Sequence, residues 1–400
     1  MNRSSIMTNI RMLIKQALIV FITALKLGFI SFGGPTAHLV YFQDEYVKRK
    51  KWLNDEQYNE LVALAQFLPG PTSSQVGIAI GALKAGILGG VLAFIGFTLP
   101  SMLALIAFAS YIDVFDTVHS GAIKGLKLVA IAMVLHIVIG MVKSILKNYW
   151  HWIFAAFSFL LTFFWATSIA QPAAIILAML LALFTLKTDT KPYQFVPFNL
   201  RFSKAFATLC LAIFVCLLLT FPIVARLIDN SVLLMADQFF RSGALVFGGG
   251  HIVLPLLERE IVLSGQLSAA EFFAGYSAAQ AIPGPLFTFA SYIGFMLDGL
   301  NGAVLATIFI FLPALLLIFG TLPFWNALRQ YLLVARAFKG ASCAVVGILA
   351  SSFIDPIVVT SITHIHDALL SLVLFLLLHR WSCPAWLIVL IALLLGVLFL

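Results

Sequence analysis

Phe32-Gly33-Gly34-Pro35, followed by Pro69-Gly70-Pro71, decides the reading of this chain, because the same punctuation returns as Phe247-Gly248-Gly249-Gly250 and Pro283-Gly284-Pro285. The two copies lie 215 and 214 residues apart, so they stay in step with one residue of slippage. Each sits among long apolar runs. Helix breakers there are tolerated only where protein or a water-filled cavity covers the freed backbone. Breaks at matching positions of two halves are the strongest sequence pointer to a carrier's binding site.

Other marks repeat in the same order. Gly81, Gly86 and Gly89 match Gly294, Gly299 and Gly302, and Leu99-Pro100 matches Leu312-Pro313. Lys124-Gly125 matches Lys339-Gly340, and Gln66 and Gln280 each stand three residues before their Pro-Gly-Pro. A single glycine in a membrane helix usually serves close packing. An ordered series repeated over so long a stretch indicates duplication.

Composition sets the class. The 400 residues are 62% hydrophobic and only 10% charged, with a mean hydropathy of +1.07. A soluble domain carries roughly 25% charged residues, so most of this chain must face lipid. We expect an all-α integral membrane protein. Spans of the needed length, about 20 residues, fall at 12–34, 58–83, 87–111, 122–142, 150–168 and 171–187. A linking span follows at 203–225. The second set is 231–252, 270–296, 301–321, 335–353, 361–379 and 383–400. That is about 12–13 segments with broken helices. The expected organisation is a first repeat at 1–190, a connector with the linking span at 191–230, and a second repeat at 231–400. Seven crossings before the second copy make the halves inverted repeats, unless the broken segments are re-entrant.

The net charge of +8 reads as loop decoration under the positive-inside rule. No basic run is interleaved with stacking aromatics, which argues against nucleic acid. The four cysteines form no C-x-x-C and no Cys/His cluster, so no metal site and no disulfide framework is indicated. The basic start, with Arg3, Arg11 and Lys15, lacks a small-residue cleavage site and is expected to stay as an anchor. No P-loop, G-x-S-x-G or H-E-x-x-H is present, and no cofactor is expected. The chain does not read as an enzyme.

Ionisable groups inside apolar segments mark function by default. Lys26 and Arg241 each stand six residues before their Phe-Gly-Gly, a matched pair of cations. Either they snorkel to an interface, or they meet at the repeat interface and balance a dianion. Broken helices add unpaired N–H donors and the positive end of a helix dipole. Gly33, Gly34, Pro35, Gly70, Gly248, Gly249, Gly250 and Gly284 form these breaks, flanked by Gln66 and Gln280. Ser74 and Thr288 are equivalent hydroxyls just after the second break, for binding or for local capping. Glu45 matches Glu260, while Glu258 faces Gln43 in the other copy. These three carboxylates are proton-coupling candidates if burial raises their pKa, or interfacial charges pairing with Arg49 or Arg259. His38 and His251 flank the breaks without matching and read as structural donors.

Leu27-Gly28-Phe29 through Phe32-Gly33-Gly34-Pro35, then Trp52-Leu53, Gln66 and Pro69-Gly70-Pro71, resembles the first half of the chromate ion transporter family. Phe247-Gly248-Gly249-Gly250, Leu254-Pro255-Leu256-Leu257 and Pro283-Gly284-Pro285-Leu286 resembles its second half, in the long two-domain form. The resemblance implies a multi-pass protein of the bacterial inner membrane. It would export chromate as a secondary transporter, coupled to protons or to the membrane potential, and so confer resistance. Implied partners are the chromate dianion or sulfate of the same shape, membrane lipid, and a second copy of the chain. Trp52 departs from symmetry, since Leu267 fills the matching position. The competing readings are transport of sulfate or another oxyanion, and a membrane enzyme or assembly factor whose breaks serve packing alone.

Overall fold

A computed structural model describes residues 3–118, 120–165, 170–186, 198, 200, 202–228, 230–247, 253–328 and 332–399. Its regular structure is helical throughout. The first half contributes α1 (Arg3–Ile30), α2 (Gly34–Phe42), α3 (Asp55–Phe67), α4 (Thr72–Val118), α5 (Ser120–Ile145), α6 (Tyr149–Phe164) and α7 (Ala170–Thr185). The linking span is α8 (Lys204–Leu227). The second half contributes α9 (Ser231–Ala244), α10 (Val253–Ile261), α11 (Ala269–Ala281), α12 (Phe289–Thr321), α13 (Trp325–Leu328), α14 (Leu332–Ser352), α15 (Val359–Ser361), α16 (Ile365–His379) and α17 (Ala385–Phe399). Among the described residues six helices are long and apolar enough to cross a membrane, and four shorter apolar ones accompany them. Among the described residues each expected span overlaps helix, interrupted at the breaks.

The broken spans resolve into half-helices with identical local logic. Asn54 caps α3 in a capping box with Gln57, and Ser268 caps α11 in one with Glu271. These matching caps satisfy the first orphan N–H groups. Each helix then stops before proline, where Leu68 and Ile282 turn to extended ψ of 150° and 140°. Each runs for 13 residues, roughly 20 Å at 1.5 Å per residue. That is short of a hydrocarbon core of about 30 Å. Further on, α4 folds at Ala85–Gly86 and α12 at Asp298–Gly299, where both glycines take positive φ. The limbs of each hairpin touch at Gly81 and Gly89, and at Gly294 and Gly302, with no room for a Cβ. The repeated glycines of the sequence are thus two copies of one tight hairpin.

The halves interlock. Helix α4 packs on α12 at the centre, while α1 lies along α4 and α9 along α12. The outer helices are exchanged: α5 packs against α16 and α17 of the other half, and its equivalent α14 packs against α6 and α7. Gly125 of α5 presses on the Ala392 carbonyl, and the matching Gly340 of α14 on the Ala178 carbonyl. Such reciprocal contacts are the signature of a two-fold relation. One further tie crosses between halves, a hydrogen bond of 2.8 Å from the Trp325 indole to Glu60 Oε2.

Candidate functional site

The two kinds of break meet across the halves. Gly284 N–H donates to the Ser31 carbonyl at 2.9 Å, beside the Phe32-Gly33 break. Reciprocally, Gly70 N–H donates to the Val246 carbonyl at 2.7 Å, beside Phe247. Each Pro-Gly-Pro turn therefore rests on the backbone just before the Phe-Gly-Gly phenylalanine of the opposite half. The turns need glycine: φ is 123° at Gly70 and 113° at Gly284, a region open to glycine alone at little cost. Gln75 Nε2 braces the first turn by donating to the Pro69 carbonyl at 2.7 Å. Thr288 braces the second, its hydroxyl donating to the Pro285 carbonyl at 2.6 Å. Its equivalent Ser74 is buried, and its hydroxyl has no partner among the described residues. The equivalent hydroxyls thus part company, one capping and one left over.

A cleft of about 340 Å³ opens at the first crossing. Gly33, Gly34 and Gln280 line it together with Met133, His136 and Cys383. Gly33 precedes α2 and Pro35 stands in its first turn, so the helix begins at the cleft wall. The Gln280 amide donates to the Tyr276 hydroxyl at 2.8 Å. The structure brings Gly33, Gly34, Gln280 and Gly284 into one neighbourhood. Gln66 is exposed on α3. Gly248, Gly249, Gly250 and His251 lie outside the described residues.

The cations take a local arrangement. Lys26 Nζ lies 2.7 Å from Glu45 Oε2, and Arg49 reaches the same carboxylate at 3.7 Å. Arg241 lies 2.6 Å from Asp237 Oδ2 and 3.0 Å from Glu260 Oε1. Lys26–Glu45 and Arg241–Glu260 are the same pair in the two repeats. Two uncompensated positive charges is therefore not what this geometry presents; each cation is matched within its own half. The reason is the cost of burial, since a lone charge out of water is far more expensive than a paired one. Of the candidate carboxylates, Glu45 is held by Lys26 and Arg49, and Glu260 by Arg241. Glu258, on α10 outside the long apolar helices, is buried with both oxygens unpartnered among the described residues. Burial drives its carboxyl well above the usual range, with Arg259 opposing and Asp355 adding to the rise. His38, read as a structural donor, meets the Ser73 hydroxyl at 3.1 Å.

Sequence reasoning missed one feature of the cleft. His136, on α5, has its Nδ1 at 3.1 Å from Nδ1 of His379, at the end of α16. No group of three metal-ligating side chains occurs among the described residues.

A multi-pass α-helical protein of two interlocked repeats, with paired helix breaks bearing on each other, belongs to the class of membrane transporters. The family model described as chromate transporter matches residues 18–184 and 233–397. The chain belongs to that family. It is similar to a chromate transport protein of Pseudomonas aeruginosa, 30% identical over 86% of this chain and 81% of the relative. It is also similar to an uncharacterized transporter of Methanocaldococcus jannaschii, 27% identical over 96% and 95%. A chromate transport protein of Cupriavidus metallidurans is 27% identical over 90% and 86%. No solved structure matches.

Proposed function

We propose that the chain is a secondary transporter that exports chromate across the bacterial inner membrane and so confers resistance. The observation that carries this reading is the reciprocal pair of bonds, Gly70 to Val246 and Gly284 to Ser31. A site built from two equivalent crossings can be opened from one side or the other by rocking one half against its inverted copy. The names of the relatives supply the substrate, and the backbone supplies the chemistry. A tetrahedral dianion suits amide donors at helix starts, where the dipole adds its field. In this reading Gly33, Gly34 and their counterparts 248–250 approach the oxyanion. Lys26–Glu45 and Arg241–Glu260 are equivalent ion pairs, and Asp237 gives Arg241 a second carboxylate that Lys26 does not have. Glu258 is buried with neither oxygen partnered among the described residues, and burial raises its proton affinity, which favours it among the carboxylates as the site of proton coupling.

Purified protein in liposomes tests the proposal. We expect labelled chromate to move under an imposed pH gradient or potential, with sulfate as the competing dianion. Flux of sulfate but not chromate would reassign the substrate. No flux of either would favour a membrane enzyme or assembly factor in which the breaks serve packing.

A further inference from the structure

The histidine pair lies where it can act on the substrate. His136 lines the cleft that Gly33, Gly34 and Gln280 also line. Its Nδ1 is engaged with His379, so the nitrogen it has left over is Nε2. The rings stand edge to face, with centroids 5.2 Å apart and planes at 72°. Phe375 stacks on His379 from one turn earlier and fixes its ring. The cleft wall beyond His379 holds Ser382 at a φ of 53°. A non-glycine residue kept there is strained, and such strain clusters at functional sites.

The chemistry of two imidazoles joined through Nδ1 is restricted. In the neutral pair one ring donates Nδ1–H to the other, so the donor ring has a bare Nε2. That lone pair repels an oxyanion. One added proton converts it to a second Nε2–H. The pair then carries one positive charge, and His136, the ring that lines the cleft, keeps an Nε2–H donor. A second proton is disfavoured, because two N–H groups would face each other at 3.1 Å. The pair thus takes up a single proton.

Its surroundings strengthen the link. Lys143 lies two turns further along α5 and acts on His136, and Arg380 follows His379 in the chain. Helix α17 carries no charged residue, and α15 none. Glu271 of α11 is engaged with Ser268, and Asp367 of α16 with Lys124. On α14, Arg336 donates to the Leu183 carbonyl, and Lys339 faces His151. Asp355 faces Glu258. On the α4 limb that adjoins α5, the side chains of residues 112–118 lie outside the described residues. Among the described side chains, the charges placed beside the pair are the cations Lys143 and Arg380. They attract an anion. A bound dianion in turn favours the protonated pair. The volume of about 340 Å³ has room for roughly ten waters at about 30 Å³ each, ample for an oxyanion with part of its hydration.

We propose that His136 and His379 form the titratable anion-binding group of this cleft, taking up one proton together with each oxyanion. This rests on the transport reading above and adds a proton site at the substrate itself. The test is calorimetric binding of chromate and of sulfate to the purified full chain between pH 5.5 and 8.5, in two buffers of different ionisation enthalpy. We expect the wild type to take up about one proton per anion and, once the empty pair is deprotonated, to weaken about tenfold for each further pH unit. His136→Gln and His379→Gln should flatten the slope and abolish proton uptake. The ratio of wild type to variant cancels chromate's own protonation. His379→Arg, a fixed cation, should keep tight binding at pH 8.5, which a purely structural role for the ring would not produce. Histidine variants that keep the wild-type slope and proton count overturn the proposal alone, and the exposed His379 position guards against misfolding as the cause. A wild type that binds neither anion at any pH overturns the transport reading as well.

Discussion

Replacing Gly284 with alanine probes the crossing of the breaks directly. A Cβ at this position would stand 2.6 Å from Ser101 Oγ and 3.0 Å from Ser101 Cβ, with the Gly28 carbonyl at 3.7 Å. The backbone φ of 113° adds about 1–3 kcal/mol of conformational strain for a non-glycine residue. If the turn relaxes, its N–H leaves the Ser31 carbonyl, and a hydrogen bond worth roughly 1 kcal/mol is lost. We therefore expect a loss of about 2–4 kcal/mol, a factor of roughly 30 to 1,000 in the folded population. Thermal unfolding of the detergent-solubilised protein, followed alongside chromate flux, reads both consequences. Ser101→Ala in the Gly284→Ala background separates crowding from strain. It removes the Oγ clash but leaves φ unchanged, so stability should return only in part, and flux should stay low because the Gly33 wall is displaced. Gly70→Ala, at φ 123° and 2.8 Å from Gln75 Nε2, should behave alike, since Gln75 would lose its place on Pro69. If Gly284→Ala unfolds within about 0.5 kcal/mol of wild type and transports normally, the crossing is not a clamp and the argument fails.

Four further outcomes are expected. Arg241→Gln leaves Asp237 and Glu260 without the cation that bonds both, Arg226 acting on Glu260 only at longer range, and should cost about 3 kcal/mol. Arg241→Gln/Glu260→Gln should regain part of that in a melting experiment yet still lose flux if the cation serves transport. Glu258→Gln should melt like wild type near pH 4.5 and higher than wild type near pH 8. The sign follows from a folded-state pKa raised above the unfolded one, so the acid's stability is full below the unfolded value and is lost as pH rises; equal melting at both pH values would refute it. Trp325→Phe removes the indole donor from Glu60 Oε2 and should cost about 1–3 kcal/mol by chemical unfolding, with no loss meaning the tie is idle. Cysteines at Ser277 and Leu126, whose hydroxyl-to-carbonyl bond of 2.7 Å joins α11 to α5, should stop flux when bridged by a short thiol reagent in a background lacking the four native cysteines. Continued flux with the bridge intact would show that α11 and α5 need not part.

What repeats in this chain is legible from its sequence, and what does not repeat is hidden. The breaks could be read because Pro69 and Pro283, and Gly86 and Gly299, are local signals, acting within a turn of where they stand; the matching caps Asn54 and Ser268 are equally local but went unread. The exchange of α5 and α14 between halves could not, since Gly125 and Gly340 announce a close approach without naming the partner helix. The ion pairs left a trace that matching positions alone did not expose. Lys26 to Glu45 and Arg241 to Glu260 are both nineteen residues apart, and that shared spacing is the signal of a contact made twice. His136 escaped because Ser351 occupies its place in the second repeat.

That last difference bears on mechanism. Two-fold equivalence allows the crossings to exchange roles, but it cannot by itself distinguish loaded from empty or one side from the other. Packing already departs from equivalence, for α11 lies against α5 while its counterpart α3 makes little contact with α14. The polar groups depart at the same place: the histidine pair, the Gln280 amide and the cleft all gather on the side where α11 meets α5. A proton taken up there would favour the occupied form of one crossing only. On the proposed transport reading, symmetric glycines and prolines would set where an anion is held in either half, and unrepeated histidines would decide at which of the two a proton accompanies it.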